Sequence, residues 1–164
     1  MNDYYTESEG EMPKKKRKAV QRENQRTTEF IKMMRKQGAT QATRLPDDSN
    51  KHWDYDSFVP YRGFFMPIEW KKKQMARTIN ISHWRRDQGH QWDALEHFYK
   101  QGFHPFFGIH WQPTSRGKWE YRVMPWHMLK PGKMDLLDFH PIEHIDQLVL
   151  LCVKHFQGVN NGIV

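Results

Sequence analysis

Cysteine is almost missing from this 164-residue chain. The single Cys152 excludes an internal disulfide framework and any zinc site built on several thiolates, and it points to a reducing compartment. Long apolar runs are missing too. The longest aliphatic stretch, Leu148 to Val153, is far too short to span a bilayer, and residues 1–12 hold no apolar h-region. The expectation is a chain that is neither secreted nor membrane-embedded. Acidic residues are scarce relative to basic ones, 19 Asp and Glu against 26 Lys and Arg, a formal +7. Four of those acids fall in residues 1–12, which have no Lys or Arg, so the remaining 152 residues carry 26 basic against 15 acidic side chains, +11. Such a field favours polyanionic partners and says nothing by itself about fold. Apolar residues make only 37% of the chain, yet 14% are aromatic, including seven Trp, and those rings can supply a core.

The length fits one domain with a tail. Residues 1–19 read as a disordered acidic leader followed by a basic arm, Pro13-Lys14-Lys15-Lys16-Arg17-Lys18, and residues 20–164 as a single domain. A helix is expected over Val20–Gln37 with Gly38 as its C-cap, then a short strand over 39–45 ending at Pro46. Phe64, Met66, Ile68 and Trp70 alternate with Phe65, Pro67, Glu69 and Lys71, a period of two that sends Glu69 and Lys71 to the face opposite the apolar one. Pro67 within that pattern predicts an edge or a local bulge. After a basic linker, a second helix is expected over Arg86–Gln101, closed by Gly102. A hairpin of strands over Phe103–Trp111 and Lys118–Met124 follows. Pro141 then opens a last helix with its stripe at Ile142, Ile145, Leu148, Val149, Cys152 and Phe156. The order α-β-β-β-α-β-β-α predicts an α/β fold: a small mixed β-sheet flanked by helices.

Asp56 precedes Glu69-Trp70-Lys71 by 13 residues, with Gly63 marking a turn between them. Two strands joined by a turn can place a carboxylate beside a second carboxylate and an ammonium. That set suits metal-dependent phosphodiester hydrolysis, because hard oxygens hold Mg²⁺ and a lysine beside them orients the attacking water or offsets charge on the phosphate. Spacing alone is equally consistent with a solvated strand face. Asp54 competes with Asp56 for the ligand role, the spacing favouring Asp56.

Asp56, Tyr61-Arg62-Gly63, the strand ending Glu69-x-Lys71 and His90-Gln91 at a helix start together resemble the PD-(D/E)xK nuclease superfamily. In order and spacing they are most similar to its RecU-type Holliday junction resolvases, over roughly Val20 to Leu129. The resemblance implies a restriction-endonuclease-like nuclease core. Asp56 and Glu69 become metal ligands, the backbone carbonyl of Trp70 a third, Lys71 the residue that positions the nucleophilic water, and Gln91 a partner for a metal water or a phosphate. Glu23, on the inward stripe of the first helix, completes such a site better than Glu29. The cofactor implied is Mg²⁺, with Mn²⁺ as a substitute, and the partner is branched or four-way DNA cut by a homodimer. RecU-type proteins carry a long stalk before the first acidic residue, whereas here only residues 46–55 intervene.

Lys14, Lys15, Lys16, Arg17, Lys18, Arg44, Arg62, Lys72, Lys73 and Arg77 are the candidate DNA contacts, through phosphates and without base specificity. Arg85 and Arg86 add to the basic flank, and Trp84 and Trp92 to its interleaved aromatics. The alternatives are a PD-(D/E)xK nuclease of another substrate, such as a flap or nicking enzyme, and a non-catalytic DNA-binding accessory protein. The expected location is the cytoplasm of a bacterium or a phage-infected host, or a nucleus if the basic run acts as an import signal.

Overall fold

The computed structural model describes residues 14–45 and 55–156, with side chains from residue 24 onward. Its centre is a six-stranded mixed sheet in the order β1-β2-β3-β5-β6-β8. These strands are β1 (Thr43–Arg44), β2 (Ser57–Tyr61), β3 (Phe64–Gln74), β5 (Phe106–Gln112), β6 (Glu120–Pro125) and β8 (His140–Pro141). Every neighbouring pair is antiparallel except β3 and β5, which run parallel from Ile68↔Phe106 to Gln74↔Gln112. A parallel pair needs a crossover. Here residues 75–105 supply it, carrying β4 (Thr78–Asn80), α2 (Ile81–Asp87) and α3 (Gly89–Lys100), with β4 paired to β7 (Lys133–Asp135) in a small second sheet.

Two apolar clusters sandwich the main sheet. On one face α1 (Lys14–Lys36) and α4 (Ile145–Phe156) bury Phe30, Met34, Leu148 and Cys152 against Val59, Met66, Ile68, Trp70, Phe106 and Val123. On the other, Trp84 and Leu95 of α2 and α3 pack on Phe107, Ile109, Trp111 and Met124. Alternation along β3 and β5 sorts these residues without exception: even positions of β3 face α1, odd positions face α2 and α3. Trp70 fills the first cluster, its indole donating to Ser57 Oγ at 2.9 Å and its ring lying 4.7 Å from Phe30 and 4.3 Å from His110. Gly108 stands opposite it, and a Cβ there would meet the Trp70 ring at 2.3 Å.

The α/β architecture and the mixed sheet agree with the sequence reading, and several boundaries do not. Helix α1 begins at Lys14, six residues before the expected start, and so takes in the basic run, because residues 14–37 contain no Gly or Pro and Lys and Arg are strong helix formers. The expected helix over 86–101 is two helices broken at Gln88, with Asn80 capping the first by accepting from the His83 N–H at 3.1 Å. Pro141 lies in β8 opposite Arg122, and α4 starts four residues later. Pro67 makes no bulge: Phe58↔Pro67 keeps the β2–β3 register, and the β5 ladder begins one residue later, where no N–H of Pro67 is needed. Arg62 and Gly63, at φ 49° and 80°, form the two-residue hairpin turn.

Candidate active site

Glu69 and Lys71 project from the α2/α3 face of β3, as the alternation requires. Glu69 is completely buried, and Lys71 Nζ lies 2.5 Å from its Oε1. A carboxylate taken wholly out of water needs such a countercharge close by. The same ammonium donates to Gln91 Oε1 at 3.2 Å and sits 5.8 Å from the centre of the Trp84 ring. Gln91 reaches it because the break at Gln88 places residue 91 in the first turn of α3, with its N–H on the Gln88 carbonyl.

Asp56 joins this group from the start of β2. Its Oδ2 accepts the main-chain N–H of Trp70 at 2.7 Å, its own N–H donates to the Ile68 carbonyl at 3.1 Å, and its carbonyl accepts from Leu45. The two carboxylates therefore flank one peptide unit of β3, Glu69 by covalent bond and Asp56 by hydrogen bond. Among the described residues no three His, Cys, Asp or Glu side chains converge on one point. The donor set consists of two carboxylates and the nearby Trp70 carbonyl, hard oxygens of the kind Mg²⁺ and Mn²⁺ prefer. The side chain of Glu23 lies outside those described. Glu29 is bonded by Arg26 at 2.9 Å and Gln25 at 3.1 Å on α1, across the sheet from Glu69.

The basic candidates divide. Lys73 lines a cavity of about 440 Å³ with Lys71, Lys72, Ile79, Asn80, His83 and Trp84. The Lys72 amine itself lies on the α1 face, 5.3 Å from the Trp119 ring, which Arg26 also covers at 4.9 Å. Arg62 is not brought to the site. It caps the hairpin at the other end of β3, roughly 25 Å from Lys71 at about 3.3 Å per residue, and pairs with Asp146 of α4 at 3.5 Å. Arg77 is bonded to Asp135 at 2.9 Å. The N–H of Leu137 and that guanidinium together hold the Asp135 carboxyl below its usual range. Arg44 lies in β1 opposite Ser57, next to Asp56. For Lys14, Lys15, Lys16, Arg17 and Lys18 only the helical backbone is described.

Of the residues lining the Lys71 cavity, sequence reasoning passed over Asn80 and His83 as linker and named Trp84 only as an aromatic of the basic flank. Their signal was an Asn cap followed by Ile81 and Trp84 three residues apart, both buried. Behind the site, His110 stacks on Trp70 and its Nε2 lies 3.1 Å from Thr27 Oγ1. Burial, then the charges of Arg26 and Lys72, push its pKa down to about 3, so this imidazole is neutral.

Comparison with known proteins fits this geometry. No family model and no curated protein matches the sequence. A solved structure does: Hjc of Archaeoglobus fulgidus, a Holliday junction resolvase from an archaeal hyperthermophile, matches with TM-score 0.52 at 18% identity over 73% of this chain and 94% of that one. The chain shares the fold of a resolvase. At that identity the likeness establishes the fold, a mixed sheet flanked by helices as in a nuclease, and the chemistry is argued from the residues.

Proposed function

We propose that the protein is a divalent-metal-dependent DNA endonuclease of the PD-(D/E)xK kind that cuts branched DNA, a four-way junction above all. One observation carries this reading: Lys71 bonds Glu69 and Gln91 on one face of the sheet, and Asp56 accepts the main-chain N–H of Trp70, the residue between Glu69 and Lys71. The fold shared with Hjc supports it.

Asp56, Glu69 and the Trp70 carbonyl would hold Mg²⁺, or Mn²⁺ in its place, which supplies Lewis acidity toward a phosphate oxygen and a bound water of lowered pKa. The chain's own groups supply position and charge. Lys71, held between Glu69 and Gln91, directs its ammonium to where the attacking oxygen and the developing negative charge lie. Gln91 keeps that ammonium in place and offers its amide N–H₂ to water or phosphate. Glu69, buried, has the Lys71 ammonium beside it as countercharge and would share its remaining oxygen with the cation. In-line attack then leaves a 5′-phosphate and a 3′-hydroxyl. Lys73 and His83 extend the basic lining along the cavity beside Lys71, where a phosphate backbone is received without base contacts. Symmetric nicks in a four-way junction call for two such sites, hence a homodimer.

The test is cleavage of a synthetic four-way junction, a flap and a linear duplex in Mg²⁺ and in EDTA, with Glu69→Ala and Lys71→Ala variants alongside. Expected are cuts in the junction that need Mg²⁺ and vanish in both variants. Metal-independent cleavage, or binding with no cleavage, overturns the enzyme reading. Equal cleavage of all three substrates overturns the junction preference alone.

A further inference from the structure

A second concavity lies on the other flank of α2 from the Lys71 cavity. It encloses about 390 Å³ and is lined by Ile81, Ser82, Arg85, Arg86, Trp92, Leu129 and Pro131. Its lining is largely apolar, it carries two guanidinium groups, and the Arg85 guanidinium carbon lies over Trp92 at 4.7 Å from the ring centre. Arg86 is tied to its neighbour Asp87 at 3.0 Å, but no carboxylate pairs with Arg85 among the described residues. Trp92 is itself braced by Trp126 at 3.9 Å and by Trp84 at 5.5 Å, so its ring is a fixed platform. None of these residues belongs to the hydrogen-bonded group at Glu69.

A flat aromatic with a guanidinium above it and a second cation at the rim matches one ligand chemistry well: a planar heteroaromatic base joined to a phosphate. The base stacks on an indole or guanidinium plane whatever its identity, and the phosphate meets the charge. Position narrows the source. Trp84 lies 5.8 Å from the Lys71 amine and 5.5 Å from the Trp92 ring, so Trp92 stands within about 11 Å of that amine. At the duplex rise of about 3.4 Å per nucleotide this is at most about three nucleotides along a strand. A base still paired in a duplex cannot enter such a cavity, since both its faces are stacked and its edge is paired.

We infer that the cavity between α2 and Trp92 holds one unpaired nucleotide of the substrate strand, within about three positions of the bond cut at Lys71, so that it selects DNA with an opened or branched end. The inference rests on the DNA reading of the neighbouring site. Arg85 and Trp92 are then specificity-determining residues.

The test uses a splayed-arm duplex with 5-iodouridine at each of the first four unpaired positions, bound in EDTA so that nothing is cut. Irradiation should attach the labelled base to Trp92, within the tryptic peptide 87–100. Arg85→Ala, an exposed change, should cut that yield at least about fivefold. It should also reduce a preference of about 10-fold for splayed over blunt duplex to within about twofold, the loss expected for one stacking contact. An unchanged melting curve of the variant separates this from unfolding. Label on another peptide overturns the inference, as does a preference that survives Arg85→Ala. Equal competition by polyglutamate of matched charge overturns the nucleotide assignment. Cross-linking at Trp92 without any metal-dependent cleavage strikes only the enzyme reading, and junction cleavage without the cross-link strikes only the pocket.

Discussion

The main-chain N–H of Trp70 donates to Asp56 Oδ2 at 2.7 Å, so the carboxylate just before β2 is held against the strand carrying Glu69 and Lys71. On the proposed reading Asp56 has a chemical duty besides this structural one, and substitutions can separate the two. Asp56→Asn keeps an acceptor for that N–H and should stay within about 0.5 kcal/mol of the wild type in urea unfolding, while junction cleavage falls at least about 100-fold. Asp56→Ala should lose the same activity and in addition about 1–3 kcal/mol, the cost of an orphaned amide. Equal stabilities for the two variants would show that the bond contributes nothing.

Glu69 is fully buried and Lys71 is partly exposed, and this asymmetry predicts unequal costs. Lys71→Met takes the ammonium away from a carboxylate that cannot reach water and should destabilise the metal-free protein by about 2–4 kcal/mol. Glu69→Gln leaves an ammonium that can turn to solvent and should cost less. Saturating Mg²⁺ should raise the melting temperature of Lys71→Met more than that of the wild type, by replacing the lost countercharge. A Mg²⁺ response that is the same in both proteins, read by scanning calorimetry, contradicts cation binding at Glu69.

Gly108→Ala tests the packing behind the site. The added methyl lies 2.3 Å from the Trp70 ring, which is locked between Phe30 and His110 and cannot retreat. Overpacking of this kind costs about 1–3 kcal/mol and displaces the strand segment between Glu69 and Lys71. Urea unfolding should show the loss, and cleavage should fall although no polar group has changed. Wild-type stability would mean that the sheet relaxes freely there.

His110 gives the protein an acid-sensitive term. Its pKa is about 3 folded against 6.5 as a free side chain, so the unfolded chain takes up a proton first. The neutral ring's contribution is fully present above pH 6.5 and is lost as pH falls toward 3, at up to about 1.4 kcal/mol per pH unit. His104, His127, His140 and His155 are lowered as well, chiefly by burial, and act in the same direction. Unfolding free energies at pH 7 and pH 5 should therefore differ by more in the wild type than in His110→Phe, which keeps the ring against Trp70. Identical differences would remove His110 from the account.

Much of the site was legible because it depends on a period of two. Alternation from Phe64 to Trp70 places Glu69 and Lys71 on one face, and the same rule carried one step further separates Lys72 from Lys71 and Lys73, as the structure does. Gln91 was found at a helix start, though by a helix drawn too long. Helix α2 was illegible because its seven residues are two turns, too short for a stripe amid the charges of residues 71–86. The β4–β7 pair joins residues more than 50 positions apart, and no local pattern announces such a partner. The pairing of Arg62 with Asp146 was hidden for the same reason: that carboxylate lies on the last helix.

The parallel pairing of β3 with β5 has a consequence for when the protein can act during its own folding. A hairpin of β2 and β3 is local and closes quickly, and it already holds Asp56, Glu69 and Lys71. Gln91 and Trp84 arrive only with the crossover of residues 75–105, whose loop entropy must be overcome before β5 can dock. The hairpin thus carries both carboxylates and the ammonium but not Gln91, which fixes that ammonium in place, so the complete arrangement needs the crossover and the docked β5 as well.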